Sequence, residues 1–290
     1  MRIGASGWVV ILVGPAVFLS IGGCPPQTTP GNPTGGDVPA LTETEKDAIS
    51  AAAQSSQSLR DALNTTKSSV DPGGGQSSFE APLSATGGGA LTFGTCPQVS
   101  MSASGASLSV KMTIDFGSSG CSPTESAGYT CSGSASGTFN QLTQSIALSF
   151  DTISCDGAAL TGNIDVTYAI NSLTLGLDGD WNLTYADSLG SVVTDGSGEA
   201  GYDGATLVTA ISTFAGTVSD TVQTWNINIS DVRVSYPTYE SMIPFAGDVT
   251  VSGNTIRTLK IHFDLDSPLT GVVWVSIDNG ACFEVNLYSL

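Results

Sequence analysis

Six cysteines hold most of the chemistry that residue type and spacing suggest here: Cys24, Cys96, Cys121, Cys131, Cys155 and Cys282. Zinc would need close thiol or imidazole spacing, but no pair has it and the chain holds one histidine, His262. Disulfide formation is the chemistry that remains, and it belongs to an oxidising compartment. Five cysteines follow Cys24, an odd number, so one thiol is expected to be free or paired with another chain. Cys282 is the candidate for that role, with Cys96–Cys282 as the alternative if the sheet closes. A second set is acidic. Asp178, Asp180, Asp195, Glu199 and Asp203 fall in glycine-rich stretches and would offer oxygen ligands to calcium. No EF-hand or nonapeptide repeat accompanies them, and Asp-Gly is a common hairpin turn. Turns are therefore the expected role, with no metal and no cofactor.

Catalytic signatures are scarce. No G-x-S-x-G occurs. His262 alternates with Ile261 and Phe263 and is expected to face solvent. No spacing marks out an acid pair of the glycosidase kind. Trp181, Trp225 and Trp274 lie in strand-like stretches, where core packing accounts for them more simply than sugar stacking. The expectation is a chain without catalysis.

The N-terminus carries a location signal. Met1-Arg2 precedes an apolar run from Ile3 to Ile21, and Gly22-Gly23 leads into Cys24. Positive start, apolar middle and small-residue exit make an export signal. Gly4, Gly7, Gly14 and Pro15 interrupt the run, and a membrane span needs about 20 mostly apolar residues. Ile21-Gly22-Gly23-Cys24 resembles the lipobox of bacterial lipoproteins. That resemblance implies cleavage before Cys24 and lipidation of its sulfur, with the chain held at the cell envelope facing periplasm or cell surface. More than one acyl chain would be needed for stable anchoring.

The formal net charge is −18, which excludes nucleic acid as a partner and makes adsorption to anionic lipid unfavourable. Attachment would rest on the anchor. Charged residues make up 12% and hydrophobic ones 40%, and that much apolar content is not the signature of disorder.

Five segments follow from the pattern: a signal at 1–23, a lipidated cysteine with a Pro/Gly spacer at 24–40, a helix at 41–67, a Gly/Ser linker at 68–90 and a β domain at 91–290. The helix has Thr42 and Glu45 as a capping box and Leu41, Ala48, Ile49, Ala52, Leu59, Ala62 and Leu63 along one stripe. Its other side is Ser, Gln, Lys and Asp. After Leu91 apolar residues recur with period two, as in Val110, Met112, Ile114 and Phe116, or Leu259, Ile261, Phe263 and Leu265. Parity breaks between Ile229 and Val232, the mark of a bulge or strand boundary. Asp156-Gly157, Asp178-Gly179, Asp195-Gly196, Asp203-Gly204 and Asn279-Gly280 read as hairpin turns.

Mainly β structure follows: an antiparallel meander of about a dozen strands, many near ten residues, forming a strongly curved sheet or incomplete barrel with the helix packed on it. A β-sandwich is the alternative. Folding the hairpins back puts Cys96 on the first strand and brings Cys121, Cys131 and Cys155 to the same end. Adjacent strands are about 4.8 Å apart, so neighbours can bridge while strands three apart cannot, which favours Cys96–Cys121 with Cys131–Cys155 and leaves Cys121–Cys131 across the intervening loop as the close rival.

The segment from Val110 to Phe139, VKMTIDFGSSGC and then GYTCSGSASGTF, resembles a motif of uncharacterised exported bacterial lipoproteins and implies a β domain without any assigned activity. Three functions are open at this point. The first is a non-catalytic binding or structural module at the envelope, acting on an envelope polymer. The second is a carrier of an amphiphile in a half-barrel, similar in shape to the lipoprotein-sorting carriers of the periplasm. The third is a hydrolase of envelope polysaccharide.

Overall fold

The computed structural model describes residues 40–70, 90–103, 109–122, 130–140, 142–155, 157–170, 174–188, 190–203, 208–235 and 243–290. The expected signal, Cys24 and nearly all of the spacer lie outside this set, as do residues 71–89 of the linker.

Helix α1 runs Glu43–Val70. Its start is the capping box: the Thr42 amide donates to Glu45 Oε2 at 2.9 Å, and the Glu45 amide donates to Thr42 Oγ1 at 3.2 Å. The helix passes through Asn64, Thr65 and Thr66 and takes in residues 68–70, which the sequence assigns to the linker. Thr66 Oγ1 bonds the Ala62 carbonyl at 2.7 Å, so its hydroxyl is satisfied within the helix and does not end it.

Fourteen strands follow. They are β1 Ala90–Phe93, β2 Gln98–Ala103, β3 Ser109–Cys121, β4 Cys131–Asn140 and β5 Ser145–Cys155. Then come β6 Ala158–Ile170, β7 Thr174–Asp187, β8 Gly190–Asp203, β9 Val208–Ser219 and β10 Thr224–Ser235. The last are β11 Ala246–Gly253, β12 Ile256–Phe263, β13 Val272–Ile277 and β14 Phe283–Asn286, with the short helix α2 Ser267–Thr270 before β13.

Each strand pairs antiparallel with its neighbours in chain order, and β1 and β14 stay at the two edges. The fold is one curved, unclosed sheet, mainly β, with α1 packed on it. Alternation places Met112, Ile114, Ile146, Leu148, Trp181, Leu183, Ile227, Val249 and Ile261 on the inner face, all buried.

The helix sits deeper than its stripe implies. It touches β3 and every strand from β6 to β12, so the sheet curls around it. Ala48, Ile49, Ala52, Leu59 and Leu63 are buried as the stripe requires, but so are Gln54, Ser55, Ser58, Arg60, Asp61 and Thr66 on the polar side. Each fully buried Leu contributes roughly 1.5–3 kcal/mol, while each buried polar group needs a partner. The small Ala and Ser side chains between Ala48 and Ser58 allow the close fit.

Two turn assignments need correction. Asp178-Gly179 and Asp195-Gly196 lie inside β7 and β8, which pair continuously over their 14 residues. Their glycines face the interior of a tightly coiled sheet. A Cβ on Gly179 would meet the Asp165 carbonyl and come within 2.8 Å of Val166 Cα; one on Gly196 would meet the Ala215 carbonyl and lie 2.7 Å from Gly216 Cα. Close strand approach, not a turn, demands these glycines. Asn279-Gly280 does turn the chain between β13 and β14, with Asp278 and Asn279 at φ 49° and 59°. Asp203 closes β8, while Asp156 and Gly204 lie outside the described residues. Other turns use side chains instead: Asp220 Oδ1 accepts from the Val222 and Gln223 amides at 2.6 Å each.

The run through Leu265 also ends early. Asp264 Oδ1 accepts from the Asp266 and Ser267 amides, both at 3.0 Å, and this turns the chain into α2, leaving Leu265 77% exposed. The parity break near Ile229 is a bulge: the register with β11 shifts between Ser230 and Arg233, and Asp231 has φ 52°.

Candidate functional site

The cysteines gather at one end of the sheet. Cys121 closes β3, Cys131 opens β4 and Cys155 closes β5, so the ladder sets them in a row, Cys121 opposite Cys131 opposite Cys155. Cys96 lies in the turn between β1 and β2, not on a strand. The bonds formed are Cys96–Cys121, with Cα atoms 5.7 Å apart, and Cys131–Cys155, at 4.1 Å. The rival Cys121–Cys131 and the alternative Cys96–Cys282 are not made. Cys282 is not free either: it is disulfide-bonded. The expected free thiol at Cys282 is therefore corrected: an odd count in the sequence does not show which thiols meet. Two disulfides indicate an oxidising, non-cytoplasmic environment. Among the described residues no helix is long and apolar enough to cross a membrane.

At this same end α1 is latched. Arg257, near the start of β12, donates through Nε to Glu45 Oε1 and through Nη2 to Glu45 Oε2, both at 2.7 Å. Its Nη2 also reaches the Ala40 carbonyl at 3.1 Å. The Arg257 hydrogen bonds are the main reason that the Glu45 carboxyl is lowered to about 2 from an ordinary 4.5. A lowered carboxyl stabilises the fold above its unfolded value and loses that contribution as pH falls. Acid titration followed by circular dichroism should thus show stability declining between about pH 4.5 and 2. Glu45→Ala is expected to flatten this slope and to lower stability at pH 7 by about 2 kcal/mol, since it removes the cap and a charged bond together.

Further along, the polar side of α1 is matched to the sheet. Gln54 Nε2 donates to Asp187 Oδ1 at 2.7 Å, Thr194 Oγ1 to Ser55 Oγ at 3.0 Å, and Thr209 Oγ1 to Asn64 Oδ1 at 3.3 Å. Arg60 donates through Nε and Nη2 to Asp61 Oδ1 at 2.9 and 2.7 Å, both residues being buried. Burial holds Asp61 above the usual carboxylate range despite Arg60, and burial also pushes the Tyr185 phenol up. The Lys67 ammonium lies 3.7 Å from the centre of the Tyr202 ring. These contacts set the rotation and depth of the helix. Sequence reasoning missed the helix-to-sheet bonds of Gln54, Ser55 and Asn64, since their partners stand more than 130 positions away and only the polar side of α1 hinted that partners were required.

The convex outer face carries the remaining candidates. Asp178, Asp180, Asp195 and Glu199 are exposed in mid-strand, together with Asp165. Asp165 is directly opposite Asp180, and Asp178 opposite Glu199, while Asn182 Nδ2 bonds Asp195 Oδ1 at 3.2 Å. Like charges directly opposite are unfavourable in themselves. Among the described residues no group of three or more His, Cys, Asp or Glu side chains is arranged to hold a metal ion.

His262 lies on this face as well, with Nδ1 2.9 Å from Asp248 Oδ1, and Lys260 Nζ is 3.3 Å from Asp248 Oδ2. Burial acts to raise Asp248, but the bonds from His262 and Lys260 hold it below the usual carboxylate range. Trp181 and Trp225 are core residues, each 1% exposed, whereas Trp274 is half-buried on the outer face. No family model, no curated protein and no solved structure matches the chain, so its own residues alone bear on what it does.

Proposed function

We propose that this chain is a lipid-anchored protein of the bacterial cell envelope whose β domain binds or supports an envelope component without catalysis. The observation that carries the reading is the filled concavity: α1 occupies the inner face of the sheet and leaves the polar convex face as the working surface. A carrier of amphiphiles would have to expel α1. That would expose Ile49, Leu59 and Leu63 and break the bonds of Glu45, Gln54 and Ser55 to the sheet, so this reading is less favoured. A polysaccharide hydrolase needs carboxylates facing each other across a cleft. The acids found here stand side by side on a convex face, in water, which is poor ground for tuning an acid and a base apart.

The anchor is tested by mass spectrometry of the mature chain recovered from bacterial membranes. The expected N-terminal residue is Cys24 with acyl groups on its sulfur and amine, and Cys24→Ala should release the protein from the membrane fraction. One sulfur cannot serve both a thioether and a disulfide. A chain recovered with unmodified Cys24, bonded to Cys282 and free of the membrane, would overturn the anchor and leave an exported β domain.

A further inference from the structure

The strand row through Trp274 brings together groups that recognise sugars. Trp274 on β13 lies directly opposite His262 on β12 and directly opposite Glu284 on β14, all on the outer face. Each of the first two is held in place. Trp274 Nε1 donates to Asp264 Oδ2 at 3.1 Å, and Asp264 is itself fixed by the amides of Asp266 and Ser267. His262 is fixed through Nδ1 by Asp248, which Lys260 holds from its other oxygen.

We propose that Trp274, His262 and Glu284 form a binding platform for a neutral glycan, the class of envelope polymer that the domain meets. This deepens the envelope-binding reading and rests on it. The indole offers an apolar surface to the C–H face of a pyranose. The flanking imidazole and carboxylate, one strand away on each side, offer a donor and an acceptor to its hydroxyls. Adjacent strands lie about 4.8 Å apart, so the three groups span roughly 10 Å, the scale of a short run of sugar units. Because the indole and imidazole are already locked, little side-chain freedom is lost on binding. Charge complementarity selects the class. Glu284 within the platform and the formal net charge of −18 disfavour polyanionic glycans. Core packing does not account for Trp274, since the tryptophans that serve the core are Trp181 and Trp225.

The test is affinity electrophoresis of the full mature chain through native gels containing hydroxyethylcellulose, dextran or galactomannan, with alginate as the polyanionic control. At least one neutral polymer should retard the wild type, and alginate should not. Trp274→Ala should weaken the retardation roughly thirtyfold or more, and Trp274→Tyr should keep part of it. Leu142→Ala, at an exposed turn, should behave as wild type, and near-UV circular dichroism checks that Trp274→Ala is folded. No retardation by any of the three neutral polymers, or full retardation of folded Trp274→Ala, overturns the platform. Sedimentation with lipid-extracted envelope polymer separates the two levels of the argument. Equal sedimentation of wild type and Trp274→Ala keeps an envelope-binding domain and removes this site, whereas no sedimentation of either removes both.

Discussion

Asp61→Ala is expected to lower the stability of the domain by about 3–5 kcal/mol, while Arg60→Met with Asp61→Leu leaves it unchanged or raises it by about 1–4 kcal/mol. The two residues are adjacent on α1, buried, and joined by both Nε and Nη2 of the guanidinium to one carboxylate oxygen. Removing Asp61 alone leaves an arginine charge inside the protein without that oxygen. Removing both exchanges two desolvated charges for apolar packing of similar volume. Asp61 also gives the pair a pH signature. Its carboxyl is raised by burial, so its ionisation opposes folding: the contribution to stability is largest below the unfolded value and falls as pH rises towards the folded one. Denaturant midpoints of the single and double variants, measured on either side of the ordinary carboxylate range, read both effects. A double variant as unstable as Asp61→Ala would mean that the pair supports the fold through its shape and bonds rather than burdening it with desolvation.

Breaking Cys131–Cys155 by Cys131→Ala with Cys155→Ala is expected to remove about 3.5 kcal/mol, and the same double replacement at Cys96 and Cys121 a similar amount. The sequence separations are 24 and 25, so the entropy returned to the unfolded chain is nearly equal. The spatial response should differ. Cys131–Cys155 joins residues that already face each other on neighbouring central strands, so its loss should lower protection throughout the ladder. Cys96–Cys121 ties the β1–β2 turn to β3, and β1 has no strand on its far side. Its loss should release β1 and β2 first. Amide hydrogen exchange of the two variants distinguishes these patterns, and identical protection maps would show that the edge hairpin does not depend on its staple.

Much of the fold was legible in the residues because β structure here obeys local rules. Val110, Met112, Ile114 and Phe116 alternate in sequence and are buried in alternation, and Thr42 with Glu45 forms the box that their spacing implies. Short connections made antiparallel neighbours the natural order, which brought Cys121, Cys131 and Cys155 to one end, while the choice between Cys96–Cys121 and Cys121–Cys131 was left to the structure. Dipeptide signals were less secure. Asp178-Gly179 carries the same letters as a hairpin turn, yet Gly179 is needed inside a strand because the neighbouring backbone leaves no room for a Cβ. Cys282 and Leu265 failed for a related reason: a bonding partner and an aspartate-directed turn lay beyond the local pattern.

By itself, then, the amino-acid sequence determined that the chain forms one long antiparallel meander, where its helix starts and which cysteines are brought to one end, since periodicity, capping and nearest-neighbour spacing act over a few residues. Only the tertiary structure decided how far the sheet curls, that it encloses α1 on its polar side as well as its apolar one, and that Trp274 rather than Trp181 or Trp225 reaches the outer face beside His262 and Glu284. Curvature is a sum over fourteen strands of small twists, close glycine contacts and several bulges. No short window of sequence contains that sum, and the partners of Arg257, Thr194 and Asp187 on the helix are chosen by it.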